Sequence, residues 1–222
     1  MELLEKIDYK ENYSSLFDKL SNQLEETLDE KYPWPMIEGV KNEFKASWQV
    51  DKNFEEMKNS SDPKIRNESK QYEKNQLSIS LQKIKTSFLE TVCAFLNTEG
   101  GDIWLGVKDD GEPVGLKKDL QRFNQKENPK DKLRQSIKDG IDTKIGHYTS
   151  EIEFEEYVVK NEFYILRVKI KPLEKNEKPA YLLEKPNHTV GVIRRYDGDY
   201  KAYDNNEWTD YLKKRFPDYL LK

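Results

Sequence analysis

Three acidic residues and one lysine have types and spacing that could do chemistry. They are Glu38, Glu43 and Lys45, in the order Glu-x-x-x-x-Glu-Phe-Lys, and Asp109, which opens Asp109-Asp110-Gly111. Carboxylate oxygens are hard donors that suit Mg²⁺ or Mn²⁺, and a lysine beside them balances negative charge. On a strand Glu43 and Lys45 share one face while Phe44 turns to the core. Glu38 and Glu43 are five positions apart, so a straight strand sets them on opposite faces. They converge only if the chain bends, and Gly39 would permit a bend. By spacing alone they read as surface carboxylates of an edge strand, and Asp109 as a turn residue behind a strand, a rigid support for a ligand. A second pair with the same spacing, Glu68 and Glu73, lies in a polar, helix-like stretch and lacks the Phe-Lys continuation.

The elements that must position these residues centre on 80–116. Leu81, Ile84, Phe88, Val92, Phe95 and Leu96 recur at three- and four-residue steps, which predicts a helix over 80–97 with one apolar stripe buried on a sheet. Gly100 and Gly101 stop it, and the alternation of Ile103, Leu105 and Val107 predicts a strand over 102–108. Residues 50–78 are polar and read as an exposed helical or disordered insertion. Leu133, Ile137, Ile141 and Ile145 mark a further helix. Ile152–Val159 and Phe163–Ile170 read as a hairpin around Lys160-Asn161-Glu162. Short strands are expected at 178–183 and 190–195, then a last helix from about Asn206 that Pro217 ends. Ahead of all this, Tyr13, Phe17, Leu20, Leu24 and Leu28 line one side of a helix over 9–30, broken by Tyr32-Pro33-Trp34-Pro35. The expectation is α+β: an acidic helical extension over 1–31, then a single domain over 32–222 with one mixed, mainly antiparallel sheet flanked by helices.

The 222 residues include one cysteine and two histidines, which excludes an internal disulfide and a Cys/His zinc cluster. Cys93 falls beside the helix stripe as a small core residue. The first thirty residues have no apolar core of signal-peptide type, and no run reaches the ~18 apolar residues of a membrane span, so the reading is cytoplasmic with no membrane partner. Net charge is −4, but residues 1–30 hold nine acids against three lysines, and residues 116–138 hold eight bases against three acids. That local excess, with Lys117, Lys118, Arg122, Lys132 and Arg134 in it and Arg194 and Arg195 downstream, fits either a nucleic-acid-binding surface or a solvated helix face. No phosphate-loop motif is present.

Residues 88–116 also resemble a known signature. Their apolar helix, Ala94-Phe-Leu-Asn-Thr-Glu-Gly-Gly101, strand ending Gly106-Val107, Asp109-Asp-Gly111 and Val114-Gly-Leu116 are similar to the pattern of the Schlafen, AlbA-like domain family. The Glu-x-x-x-x-Glu-Phe-Lys run resembles its upstream half, and the downstream strands and closing helix extend the resemblance over about residues 37–216. The chain departs where relatives carry Arg-x-Gly-x-(Ser/Thr): it has Arg194-Arg195-Tyr196-Asp197-Gly198. The resemblance implies a metal-dependent endoribonuclease acting on structured RNA such as tRNA, with Glu38, Glu43 and Asp109 as ligands of Mg²⁺ or Mn²⁺ and Lys45 beside them. The AlbA-like label also covers proteins regarded as DNA binders, so a non-catalytic nucleic-acid-binding module stands as the alternative. A partner-docking role for the acidic N-terminal helix is a third. Long family members join two lobes into a cleft, and a homodimer of this one-lobe chain would rebuild it.

Overall fold

The computed structural model describes residues 32–35, 37–123, 128–160, 162–185, 188–194, 200–202 and 205–220. The expected helix over 9–30 lies outside them. The chain divides after Trp34, and the fold below is that of Pro35–Lys222. Its elements run β1 (Asn42–Lys45), α1 (Lys52–Lys58), α2 (Pro63–Asn75), α3 (Leu77–Asn97), β2 (Gly101–Leu105), α4 (Lys117–Gln121), α5 (Pro129–Lys144), β3 (Ile152–Val159), β4 (Phe163–Ile170), β5 (Leu182–Lys185), β6 (His188–Val190), β7 (Val192–Arg194), β8 (Tyr200–Ala202), α6 (Asn205–Arg215) and α7 (Pro217–Leu220).

The class is α+β. Four strands form a mixed sheet in the order β1-β2-β4-β3, with β1 parallel to β2 and the other two pairings antiparallel. The strands downstream do not join it. Strands β5 with β6 and β7 with β8 form separate two-stranded ladders, so the chain has more than the one sheet the sequence predicts.

The C-terminal half of α3 is the centre of the core. Phe88, Val92, Cys93, Phe95 and Leu96 are fully buried and meet Ile103, Leu105, Leu166 and Val168 of the sheet. Burial pushes the Cys93 thiol up to about 12, as expected of an inert core cysteine. The N-terminal half of α3 behaves differently: Ile79 is exposed, and Leu81 and Ile84 are half-buried. The helix stops where predicted. Gly100 has φ +73°, its N–H bonds the Phe95 carbonyl at 3.0 Å, and a Cβ there would lie 2.5 Å from the Ile170 oxygen.

The polar insertion folds as α1 and α2. Asp51 caps α1 by accepting from Phe54 N–H at 3.0 Å and also accepts from the Tyr72 hydroxyl at 2.7 Å, while Phe54 stacks on Tyr72 with centroids 6.1 Å apart. The β3–β4 hairpin has the predicted limits, with Lys160 at φ 50° in its turn. Two expectations change. Residues 178–181 are not a strand, because the Asn97 side chain, rather than a neighbouring strand, bonds the Ala180 backbone. Pro217 ends α6 but opens α7, since a first-turn proline loses no helical hydrogen bond.

Candidate nucleic-acid and carboxylate site

Strand β1 carries the site. Its parallel register sets Glu43 beside Ile103 and Lys45 beside Leu105, so both share the sheet face that packs on α3. Phe44 pairs with Trp104 on the opposite face and is fully buried, as expected of a residue that turns to the core. Because β1 is an edge strand, Glu43 and Lys45 sit at the rim of the α3 layer and form an ion pair with each other; Glu43 is buried and Lys45 half-buried.

The bend that would bring Glu38 to this edge is present. Gly39 and Asn42 exchange backbone hydrogen bonds at 3.0 and 3.2 Å, and past this turn Glu38 Oε1 accepts the Phe44 N–H at 2.6 Å. The Phe44 N–H faces away from β2, so the carboxylate caps the open sheet edge. Glycine is not what makes the bend: Gly39 has no positive φ, and a Cβ there would meet nothing within 4 Å.

Asp109 reaches the same region from β2. The Gly106 N–H bonds the Lys45 carbonyl at 2.8 Å, which holds the end of β2 against the end of β1, and the Lys108–Gly111 turn follows, closed at 2.8 Å. Asp109 is exposed on that turn. Burial holds the Glu38 carboxyl above its usual range; the Phe44 N–H opposes this, Glu43 and Asp109 raise it further, and Lys45 lowers it. Glu38 therefore feels the charges of Glu43, Lys45 and Asp109. Glu68 and Glu73, by contrast, are exposed on α2.

The shift at Glu38 has a consequence for stability. A carboxyl with a folded pKa above its ordinary 4.5 costs nothing below that value, and the cost grows as pH rises through the window up to the folded pKa. Glu38→Gln keeps an oxygen for Phe44 and removes the charge. The variant should melt higher than the parent at pH 7, and the gain should vanish below about pH 4.5. A lower melting temperature at pH 7 would show that the bond to Phe44 outweighs the repulsion.

Among the described residues no three His, Cys, Asp or Glu side chains are grouped so as to hold a metal ion. Oxygen donors with surplus negative charge still fit Mg²⁺ or Mn²⁺ in the mode in which one or two carboxylates bind the ion and substrate phosphates complete its shell.

The basic residues are less free than their sequence suggests. Lys118 pairs with Glu55 at 2.9 Å, and Arg134 pairs with Asp131 and Glu156. Lys117 and Arg122 are exposed and make no ion pair with a described residue, and Lys132 is exposed on α5. Arg194 closes β7, while its side chain and the whole of Arg195 lie outside the described residues.

Two residues that sequence reasoning passed over hold the site's frame. Asp119 is fully buried and accepts from the Ser47 hydroxyl at 2.9 Å, Trp48 N–H at 3.1 Å and Gln49 N–H at 2.8 Å, fixing the chain that leaves β1; burial raises its pKa. Lys52, whose pKa burial lowers, lies in its field. Beside them a cavity of about 410 Å³ is lined by Lys45, Lys52 and Lys83, next to the carboxylates. In sequence Asp119 is one acid among many bases, and nothing local announces its partners.

The model of the family described as Schlafen, AlbA_2 matches residues 38–204, a span that starts at Glu38 and takes in β1, α3, the double-glycine stop and the strands downstream. The chain belongs to the Schlafen, AlbA_2 family. Membership supports a nucleic-acid-related function for this Schlafen-type chain. No curated protein matches it. Among solved structures it is similar to the DIP2311 protein of Corynebacterium diphtheriae, with 14% identity and a TM-score of 0.44 over 90% of this chain and 29% of that one. It is also similar to the N-terminal domain of a RecG-related protein from Nitrosomonas europaea, with 23% identity and a TM-score of 0.35 over 55% of this chain and 74% of that one. The chain thus spans less than a third of the length of the first. No helix among the described residues is long and apolar enough to cross a membrane.

Proposed function

We propose that this Schlafen-type chain is a metal-dependent endoribonuclease acting on structured RNA, with tRNA as the substrate class to test first. What supports the reading is that Glu38, hydrogen-bonded to the edge strand β1, feels the charges of Glu43 and of Asp109 from a separate segment, with Lys45 paired to Glu43. A bound Mg²⁺ or Mn²⁺ would supply the polarised phosphate and the activated water. Glu43 and Asp109 are the residues to hold it, with the substrate phosphate completing the shell. Glu38 braces the open edge of β1 and adds its negative charge to the field that holds the ion, and Lys45 places a cation toward the attacked phosphate. A homodimer would join two such edges into a cleft, and sedimentation of the pure chain tests it.

The test of the reaction is cleavage of a labelled tRNA pool with Mn²⁺ or Mg²⁺, with and without a chelator. Cleavage that the chelator stops supports the reading. The lack of three grouped ligand side chains among the described residues favours a second reading, a non-catalytic module that binds RNA or DNA. Binding without any cleavage in the same assay would establish that one instead.

Binding itself makes a prediction. Each phosphate neutralised by a lysine or arginine releases counterions, so affinity should fall with a log–log slope of roughly 0.7 to 0.9 per contact as salt rises. Reversing Lys117 and Arg122, which are exposed and make no ion pair with a described residue, should flatten that slope by about two contacts' worth. Reversing Arg134 should do less, since its charge already answers Glu156 and Asp131. A slope unmoved by the Lys117 and Arg122 changes would remove this face from the interface.

A further inference from the structure

A second and larger cavity, about 700 Å³, lies between the N-terminal half of α3, α5 and the start of β5. It shares no lining residue with the cavity beside the carboxylates. Its size falls in the range of pockets that take a cofactor-sized molecule and far exceeds what an inorganic anion fills.

Its walls are of two kinds. Leu81 and Leu183 are half-buried and leave apolar surface open to the cavity, backed by the buried Leu89 and Leu182. Around them stand Lys85, Arg122 and Lys144, none of which makes an ion pair with a described residue. The one acid, Asp139, already accepts from the Gln135 amide at 2.7 Å. Trp48 is fixed in the wall: its N–H bonds Ser136 Oγ at 3.1 Å, and the Lys85 ammonium stands 5.2 Å from its ring centroid.

An apolar surface ringed by cations that make no ion pair with a described residue selects a ligand with a flat or apolar body and an anionic end. The hydroxyls of Thr86 and Thr143 in the same wall can serve sugar hydroxyls or a base edge, groups that a fatty acid would leave unused. Arg122 offers the planar fork that grips phosphate oxygens in pairs.

We propose that this cavity is a nucleotide-binding site, separate from the carboxylates, that seats one nucleobase against Leu81 and Leu183 and its phosphate on Lys85, Arg122 and Lys144. The nucleotide comes either free from solution or as an unstacked unit of a bound strand, since single-stranded bases are recognised in this way. The proposal goes beyond the nuclease reading and does not depend on it.

The experiment titrates the full chain with AMP, GMP, CMP, UMP and inorganic phosphate by calorimetry, and with a single-stranded oligouridylate, all in the presence of a chelator so that no strand is cut. At least one mononucleotide should bind, and phosphate alone should bind about tenfold more weakly or worse. Lys85→Glu and Arg122→Glu should each weaken nucleotide binding by about tenfold. Leu81→Trp should block the cavity without changing any charge. If a mononucleotide displaces the oligonucleotide, the site takes a unit of the strand; if the two bind without competing, the free nucleotide is the ligand. Either result supports the site. Absence of saturable nucleotide binding, phosphate binding as tight as nucleotide, or affinity unchanged in Lys85→Glu would overturn it. Lys85 is only half-buried, so its variant keeps the test valid if Leu81→Trp fails to fold. Because every measurement is made without a usable metal, its failure is distinct from failure of the nuclease reading.

Discussion

Glu43→Gln and Asp109→Asn should each abolish RNA cleavage while leaving RNA binding intact or slightly tighter. Each keeps the side chain's shape and removes the charge that a divalent cation needs. Even the outer partners of metal ligands cost roughly 10- to 100-fold when changed, so loss of a ligand itself should exceed about a hundredfold. Binding should not suffer, because a carboxylate at the sheet edge repels phosphate. Glu43→Gln has a second effect in the same direction: it releases Lys45 from its ion pair and leaves that ammonium to the RNA. Glu38→Gln should lose cleavage alike, through the shared environment at the edge, whereas Glu68→Gln and Glu73→Gln, exposed on α2, should cleave as the parent does. The measurement is single-turnover cleavage of labelled tRNA beside a binding titration of each variant. Cleavage that survives both the chelator and the Glu43 and Asp109 changes would overturn the metal-dependent carboxylate reading. Loss at Glu68 and Glu73 would move the site to α2.

The parts of the fold that could be read in advance are those whose signal is local. The α3 stripe, the double-glycine stop and the β3–β4 hairpin each follow from side-chain period and turn chemistry within some twenty neighbouring residues, and each stands where it was expected. What could not be read depends on partners far along the chain. The parallel pairing of β1 with β2 joins Asn42 to Asp102, and a four-residue edge strand carries too little alternation to state its register or which face is which. The stretch at 178–181 has strand composition, but its hydrogen bonds go to a side chain, an option that periodicity does not register.

The site shows the same division. The Glu-x-x-x-x-Glu spacing predicted that the glutamates meet only across a bend, and the turn from Gly39 to Asn42 provides one, though by backbone hydrogen bonds rather than by glycine's freedom. The charge excess over 116–138 was counted correctly, but a count cannot tell a cation that faces solvent from one held by Glu55 or Glu156. Asp119 is the clearest case. It scores as one negative charge in a basic segment, yet its carboxylate organises a turn some 70 positions upstream.

The most destabilising single change in the family signature should be Asn97→Ala, at the asparagine of Ala94-Phe-Leu-Asn-Thr-Glu-Gly-Gly101. Asn97 is fully buried, and its amide is spent mainly on backbone: Nδ2 donates to the Ala180 carbonyl at 2.9 Å and the Val192 carbonyl at 3.0 Å, with a longer contact to Cys93 Sγ at 3.7 Å, while Oδ1 accepts the Ala180 N–H at 2.8 Å. One side chain thus ties the end of α3 to the segment before β5 and to β7, a task that a strand ladder performs elsewhere. Alanine would strand two carbonyls and one N–H in the interior, where each orphaned group costs about 1 to 3 kcal/mol. With partial relaxation the loss should be about 3 to 5 kcal/mol, a fall in melting temperature on the order of 10 °C for a chain of this size. Asn97→Asp should be no better, since it keeps the acceptor for Ala180 but sets a carboxylate against two carbonyl oxygens. Thermal unfolding followed by circular dichroism measures the loss, and cleavage or RNA binding at a temperature where the variant is folded measures function. A folded Asn97→Ala that still binds RNA would place this residue in the frame of the fold. A melting temperature within a degree or two of the parent's would mean that other groups satisfy the Ala180 and Val192 backbone, and the asparagine's place in the signature would then need a role at the site itself.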